Sequence, residues 1–167
     1  MISLFDFYGK RCIDQVVGHK RYQSIFSPSD IDSRGHLLIR NGTFLKHQPL
    51  DIELFLSSRH DGHWHFRKEP TITEPLEYAV LQTASGLRVL APHLVLLFKA
   101  WFFPHLEKAI SDAPQEEGFL RKCWLVDCRD FETVLPWLSA WQKARLKEWL
   151  ETFTPGIPWL TGFSGRS

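Results

Sequence analysis

Asp51 and Glu53 are two carboxylates separated by one residue, and their neighbours decide what that spacing means. Leu50, Ile52, Leu54 and Leu56 alternate with Asp51, Glu53 and Phe55. A period of two predicts a strand with one apolar face and one face carrying both acids, which stand about 6.6 Å apart along it by the rise per residue. Such a pair can hold a divalent cation, or one member can act as base toward a hydroxyl. Two acids on the wet face of an antiparallel sheet give the same pattern. Lys99 interrupts the apolar run from Leu94 to Phe103. Its stem can cover apolar surface while the head reaches water, or its ammonium can meet a phosphate. Arg67, within Phe66-Arg67-Lys68-Glu69-Pro70, has the same double reading: partner of an anion, or a surface charge beside a turn.

The run His60-Asp61-Gly62-His63-Trp64-His65 is rich in potential ligands. Zinc needs about four ligands in tetrahedral array, and no Cys-x-x-Cys pair stands ready to complete the set. Asp61-Gly62 reads instead as a turn between strands that leaves the histidines exposed or hydrogen-bonded. No Walker loop, dinucleotide fingerprint or Gly-x-Ser-x-Gly elbow is present.

Twenty basic residues against 19 acidic ones leave a formal charge of +1, so no basic field points to nucleic acid. The longest apolar run is far shorter than the ~20 residues a bilayer crossing requires, and membrane attachment is not expected. Cys12, Cys123 and Cys128 cannot all pair with one another, which fits a reduced, cytoplasmic protein. With 167 residues, of which 44% are hydrophobic, one domain with a substantial core is expected.

The elements that position these residues follow from local signals. Asn41-Gly42 suits a two-residue turn joining His36–Arg40 to Thr43–Lys46. Ala84-Ser85-Gly86 suits a turn joining Tyr78–Gln82 to Leu87–Leu90. Pro92 marks the first turn of a helix, with Leu94, Val95, Phe98, Trp101 and Phe102 on its buried face until Pro104. Ser111 to Glu117 reads as an exposed loop, and Asp130 as a cap for the turn carrying Phe131 and Val134. Ser139 and Gln142 form a capping box ahead of Trp141, Leu146, Trp149 and Phe153, and Thr154-Pro155-Gly156 stops that helix. Trp137, Trp141 and Trp149 read as packing residues. Strands first and helices last make an α+β chain.

In order, Asp51-Ile52-Glu53-Leu54, Trp64-His65-Phe66-Arg67-Lys68-Glu69-Pro70, Leu90-Ala91-Pro92-His93-Leu94-Val95-Leu96-Leu97-Phe98-Lys99-Ala100, Asp127-Cys128-Arg129-Asp130-Phe131 and Pro155-Gly156-Ile157-Pro158-Trp159-Leu160 resemble the second half of small bacterial nucleotidyltransferases related to aminoglycoside adenylyltransferases. The resemblance covers about Leu50 to Leu160. It implies a small mixed sheet of the nucleotidyltransferase type with C-terminal helices packed on it. Residues 1–49 would be a divergent or truncated N-terminal part, 50–103 the strand and helix core, 104–126 an insertion and 127–167 the C-terminal helices. It further implies Asp51 or Glu53 as base for an acceptor hydroxyl and as ligands of Mg²⁺. Lys99 and Arg67 would be the residues near the phosphates of a nucleoside triphosphate.

The chain departs from that pattern where such enzymes carry a Gly-Gly or Gly-Ser turn and an Asp-x-Asp pair. Arg11-Cys12-Ile13-Asp14 is the nearest echo, with Cys12 in place of the first Asp. A thiol is a soft ligand and serves magnesium poorly. Asp127 and Asp130 keep the acid spacing of relatives, while Val126 stands where Lys is expected. Two functions follow as expectations. One is a nucleotidyltransferase acting from an NTP onto a hydroxyl of a small molecule, weak or inactive in this form. The other is a non-catalytic binding or regulatory protein on the same scaffold.

Overall fold

The computed structural model describes residues 57–163 throughout, and before them the strand backbones Ile13–Gly18, Arg21–Ser24, His36–Leu45 and Gln48–Phe55. The chain is α+β and divides into two compact units, Met1–Leu76 and Glu77–Ser167.

The described residues of the first unit form mainly strands. β1 (Ile13–Gly18), β2 (Arg21–Ser24), β3 (His36–Leu45) and β4 (Gln48–Phe55) form one sheet in the order β2-β1-β3-β4. Among the described residues every pairing is antiparallel, where the resemblance implies a mixed sheet. β4 contains Asp51 and Glu53, so the period-two alternation identifies a strand correctly, and among the described residues that strand stands at the edge of the sheet. The expected turn at Asn41-Gly42 does not form. β3 runs straight through these residues, Gly42 pairs with Leu50, and the register slips on either side of it. A glycine within a strand commonly marks such an irregularity, because a missing side chain tolerates the distorted ladder.

β5 (Ser58–His60), β6 (His63–His65) and β7 (Thr73–Pro75) make a second, three-stranded antiparallel sheet. Asp61 and Gly62 both take positive φ, 46° and 77°, as a two-residue turn of the primed type requires. His63 donates from Nδ1 to the Asp61 carbonyl at 2.9 Å, helping to hold the turn. Trp64 and Phe66 are buried and stack at 5.9 Å.

The second unit is mostly helical. After one helical turn, Leu76–Ala79, β8 (Val80–Gln82) pairs with β9 (Arg88–Leu90) across a tight loop in which Gly86 has φ of 82°. α1 (Pro92–Ala100) begins at its proline as expected. Its buried residues are His93, Leu94, Leu96, Leu97 and Ala100, whereas Val95 is exposed and Phe98 and Trp101 are only half-buried. The run is apolar almost all round, so periodicity alone does not select the buried stripe.

α2 (Leu106–Asp112), a short 3₁₀ turn at Pro114–Glu116 and α3 (Glu117–Val134) replace the loop expected from Ser111 to Glu117. Asp130 lies well inside α3, so it caps nothing. α4 (Ala140–Phe153) follows, and leads to a final 3₁₀ segment, Pro158–Phe163.

Leu146, Trp149 and Leu150 of α4 are buried, and α4 packs against α1. Trp159 lies flat between Trp124 (5.5 Å, 8°) and Phe131 (4.6 Å, 12°), with Phe103 and Phe163 extending the series at its two ends. Trp137, by contrast, is 87% exposed and contributes nothing to the core.

The capping box at α4 forms in both halves. The Gln142 amide donates to Ser139 Oγ at 3.2 Å, and the Ser139 amide donates to Gln142 Oε1 at 3.0 Å. Ser139→Ala is expected to lower stability by about 1 kcal/mol in urea denaturation, since it removes an acceptor from an orphan N–H; an unchanged midpoint would show that α4 does not need this cap.

Candidate functional site

Lys99 is the residue whose geometry is best defined among those expected to do chemistry. It lies on the last turn of α1, and its ammonium reaches α3. Nζ donates to Asp127 Oδ1 at 2.6 Å and stands 2.9 Å from Asp130 Oδ2. Asp127 and Asp130 are three residues apart on one helix, so they share a face and both can meet one cation. The Lys99 side chain is 29% exposed and that of Asp127 only 19%. Burial is the largest influence on the Lys99 pKa and lowers it, but the hydrogen bonds and charges of Asp127 and Asp130 together outweigh it and hold the pKa above its ordinary value. The ammonium is therefore charged at neutral pH. One positive and two negative groups give the cluster a net charge of −1, which repels a phosphate.

The other expected site residues lie in the first unit. Asp51 and Glu53 are on β4, and their side chains are outside the described residues. Arg67 is half-buried in the Phe66–Ile72 loop, where the Phe66 amide bonds to the Ile72 carbonyl at 3.0 Å. The histidine-rich run behaves as a turn. His60 is exposed and 2.9 Å from Asp61 Oδ2, and His63 is exposed beside it. Among the described residues no three His, Cys, Asp or Glu side chains come together as a metal site, and the carboxylates of Asp127 and Asp130 already share Lys99.

A second constellation is absent from the sequence reading. His93, fully buried on α1, stacks on Trp149 at 6.0 Å with planes 12° apart and meets Trp141 in a T-shaped contact at 5.5 Å. Arg145 lies over the Trp149 ring, with Cζ 4.8 Å from its centroid. Trp141, Arg145 and Trp149 recur every four residues, so one face of α4 carries all three. That spacing is a signal available in the sequence; what it lacks is the register of His93 against it.

Burial first, and the Arg145 charge second, lower the His93 pKa to about 4, and the imidazole is neutral at physiological pH. Tyr78 packs on the outer side of Trp141 at 5.1 Å. These two rings, with Leu81, Ser139 and Gln142, line an open groove of about 440 Å³. Ser139 and Gln142 are committed to the helix cap, so the groove is aromatic and uncharged.

No known protein family, no curated protein and no solved structure matches the chain.

Two outcomes test these clusters. Lys99→Met keeps the stem and removes the charge. It is expected to cost ~1–3 kcal/mol, between the values typical of exposed and buried ion pairs. Part of that loss should return when Asp127→Asn and Asp130→Asn are added; a triple variant no more stable than Lys99→Met would refute the coupling. For His93 the folded pKa lies below the unfolded value near 6.5, so the unfolded state binds the extra proton between them and stability falls as pH drops from about 6.5 to about 4. At 1.36 kcal/mol per unit the loss is on the order of 3 kcal/mol. His93→Phe should flatten that part of the stability–pH curve, read by denaturation at a series of pH values.

Proposed function

We propose that the chain is a nucleotidyltransferase-like protein on an α+β scaffold of that type, which binds a ligand or partner and has little or no nucleotidyl transfer of its own. The observation that carries this reading is Lys99. The lysine that the resemblance implies near a triphosphate is engaged by Asp127 and Asp130, and its surroundings have net negative charge. A triphosphate needs positioned cations and N–H donors, and losing them costs several kcal/mol of barrier, hence orders of magnitude in rate. The missing Gly-Gly turn and Asp-x-Asp pair point the same way. A scaffold does not guarantee a reaction, because function lives in the site. A cytoplasmic setting belongs to the same reading, and the free thiols of Cys123 and Cys128 support it.

If transfer does occur, the reading assigns Asp51 or Glu53 as the base, an NTP as donor and a hydroxyl of a small molecule as acceptor. Incubation of the full chain with Mg²⁺, labelled nucleoside triphosphates and a panel of hydroxylated acceptors, aminoglycosides included, is expected to give no labelled product above a protein-free control. Turnover that disappears in Asp51→Ala would overturn the proposal and restore the enzyme.

A further inference from the structure

The helical unit carries a groove of about 500 Å³ lined by Leu135, Pro136, Lys143, Ala144, Lys147, Gly162 and Phe163. Its volume is within the range of small-molecule sites. None of the residues discussed for nucleotidyl transfer contributes to it, so a ligand in this groove does not depend on whether the chain is an enzyme.

Three elements build the groove. α4 supplies Lys143, Ala144 and Lys147, spaced to project from one face. The turn Leu135–Trp137 supplies Leu135 and Pro136, and the closing 3₁₀ segment supplies Gly162 and Phe163. Gly162 permits the close fit of that last wall. A Cβ at this position would stand 3.0 Å from Phe131 Cε1 and 3.4 Å from Leu135 Cδ2, tighter than packed side chains accept. The floor is therefore apolar and partly aromatic, backed by the buried Phe131.

The charges on the rim are unequal. Lys147 is ion-paired with Glu151 one turn along the helix, so that pair adds no net charge. Lys143 is half-buried, and among the described residues no carboxylate forms an ion pair with it. The groove thus presents one uncompensated positive charge above an apolar surface. A nucleoside triphosphate would bring several negative charges to a single lysine. A neutral apolar molecule would leave the ammonium without a partner, and a cation would be repelled. A monoanion with an apolar body matches both features at once.

We propose that this groove binds a small amphipathic monocarboxylate, its carboxylate on Lys143 and its alkyl or aryl body against Leu135, Pro136, Ala144 and Phe163. Losing a charge-assisted hydrogen bond of this kind should weaken binding by about tenfold or more.

Decanoate, decanol and decyltrimethylammonium, each below its aggregation threshold, provide the test. They are titrated into the full ¹⁵N-labelled chain while amide shifts are followed. Decanoate is expected to give saturable shifts at Ala144, Gly162 and Phe163. Lys143→Gln, checked for an unchanged ligand-free spectrum, should weaken its binding about tenfold, and Lys143→Arg should retain it. Decanol should bind at least tenfold more weakly than decanoate, and the cation should not saturate. Equal binding of all three, no saturation by decanoate, shifts mapping to other residues, or full affinity in Lys143→Gln would each overturn the proposal.

Discussion

α1 is nine residues long and five of them are buried, and the helical unit is arranged around the need to cover it. Leu94, Leu96 and Leu97 are sealed almost completely, and each such side chain is worth roughly 1.5–3 kcal/mol relative to exposure. α4 covers one flank with Leu146, Trp149 and Leu150. The β8–β9 hairpin is joined to the helix entry through the Ala91 amide, which bonds to the Ala79 carbonyl at 2.8 Å. α3 closes against another flank. So short a helix has little stability of its own in water, and its neighbours are what keep it formed.

Covering α1 on so many sides leaves two polar side chains to be accommodated, and the solutions differ. Lys99, near the C-terminus, keeps its charge by finding two carboxylates on α3. His93, near the N-terminus, gives up its charge and joins a row of aromatic rings. Each solution ties α1 to a particular neighbour, the first to α3 and the second to α4. Residues of the kinds that serve as phosphate ligand or general base in enzymes here act as fasteners. The same lysine would read as a phosphate partner wherever its two aspartates were replaced by neutral residues.

What the sequence discloses depends on the range of the interactions involved. The Asp61-Gly62 turn, the start of α1 at Pro92 and the Ser139–Gln142 cap are decided within four residues, and all three are legible. Asn41-Gly42 carries an equally strong local signal and is overruled, because β3 pairs with β4 on both sides of it, from His36 to Leu45, and absorbs it as an irregularity. The buried face of α1 is ambiguous for another reason: a run with apolar residues on every side contains no contrast for a period to detect. The Lys99 cluster depends on carboxylates 28 and 31 positions along the chain, a distance no spacing rule reaches. Of the candidate site, the sequence therefore supplies the residue types, and tertiary packing supplies their partners. Trp137 remains exposed, and nothing in the fold explains it.

The flat stacking of Trp124 on Trp159, with Phe131 on the other side, has a spectroscopic consequence. Indole rings nearly parallel at 5.5 Å couple their electronic transitions, and the coupled pair rotates far-ultraviolet light in the same region as the helical backbone. Circular dichroism of this chain therefore sums two signals, and a helix content extracted from it as though only the backbone contributed would be displaced from the true one. The indole nitrogen of Trp159 also lies 3.4 Å from the Cys128 sulfur. A thiol at that range drains the excited state, so the emission of this tryptophan is dimmed in the folded chain and brightens when the stack comes apart.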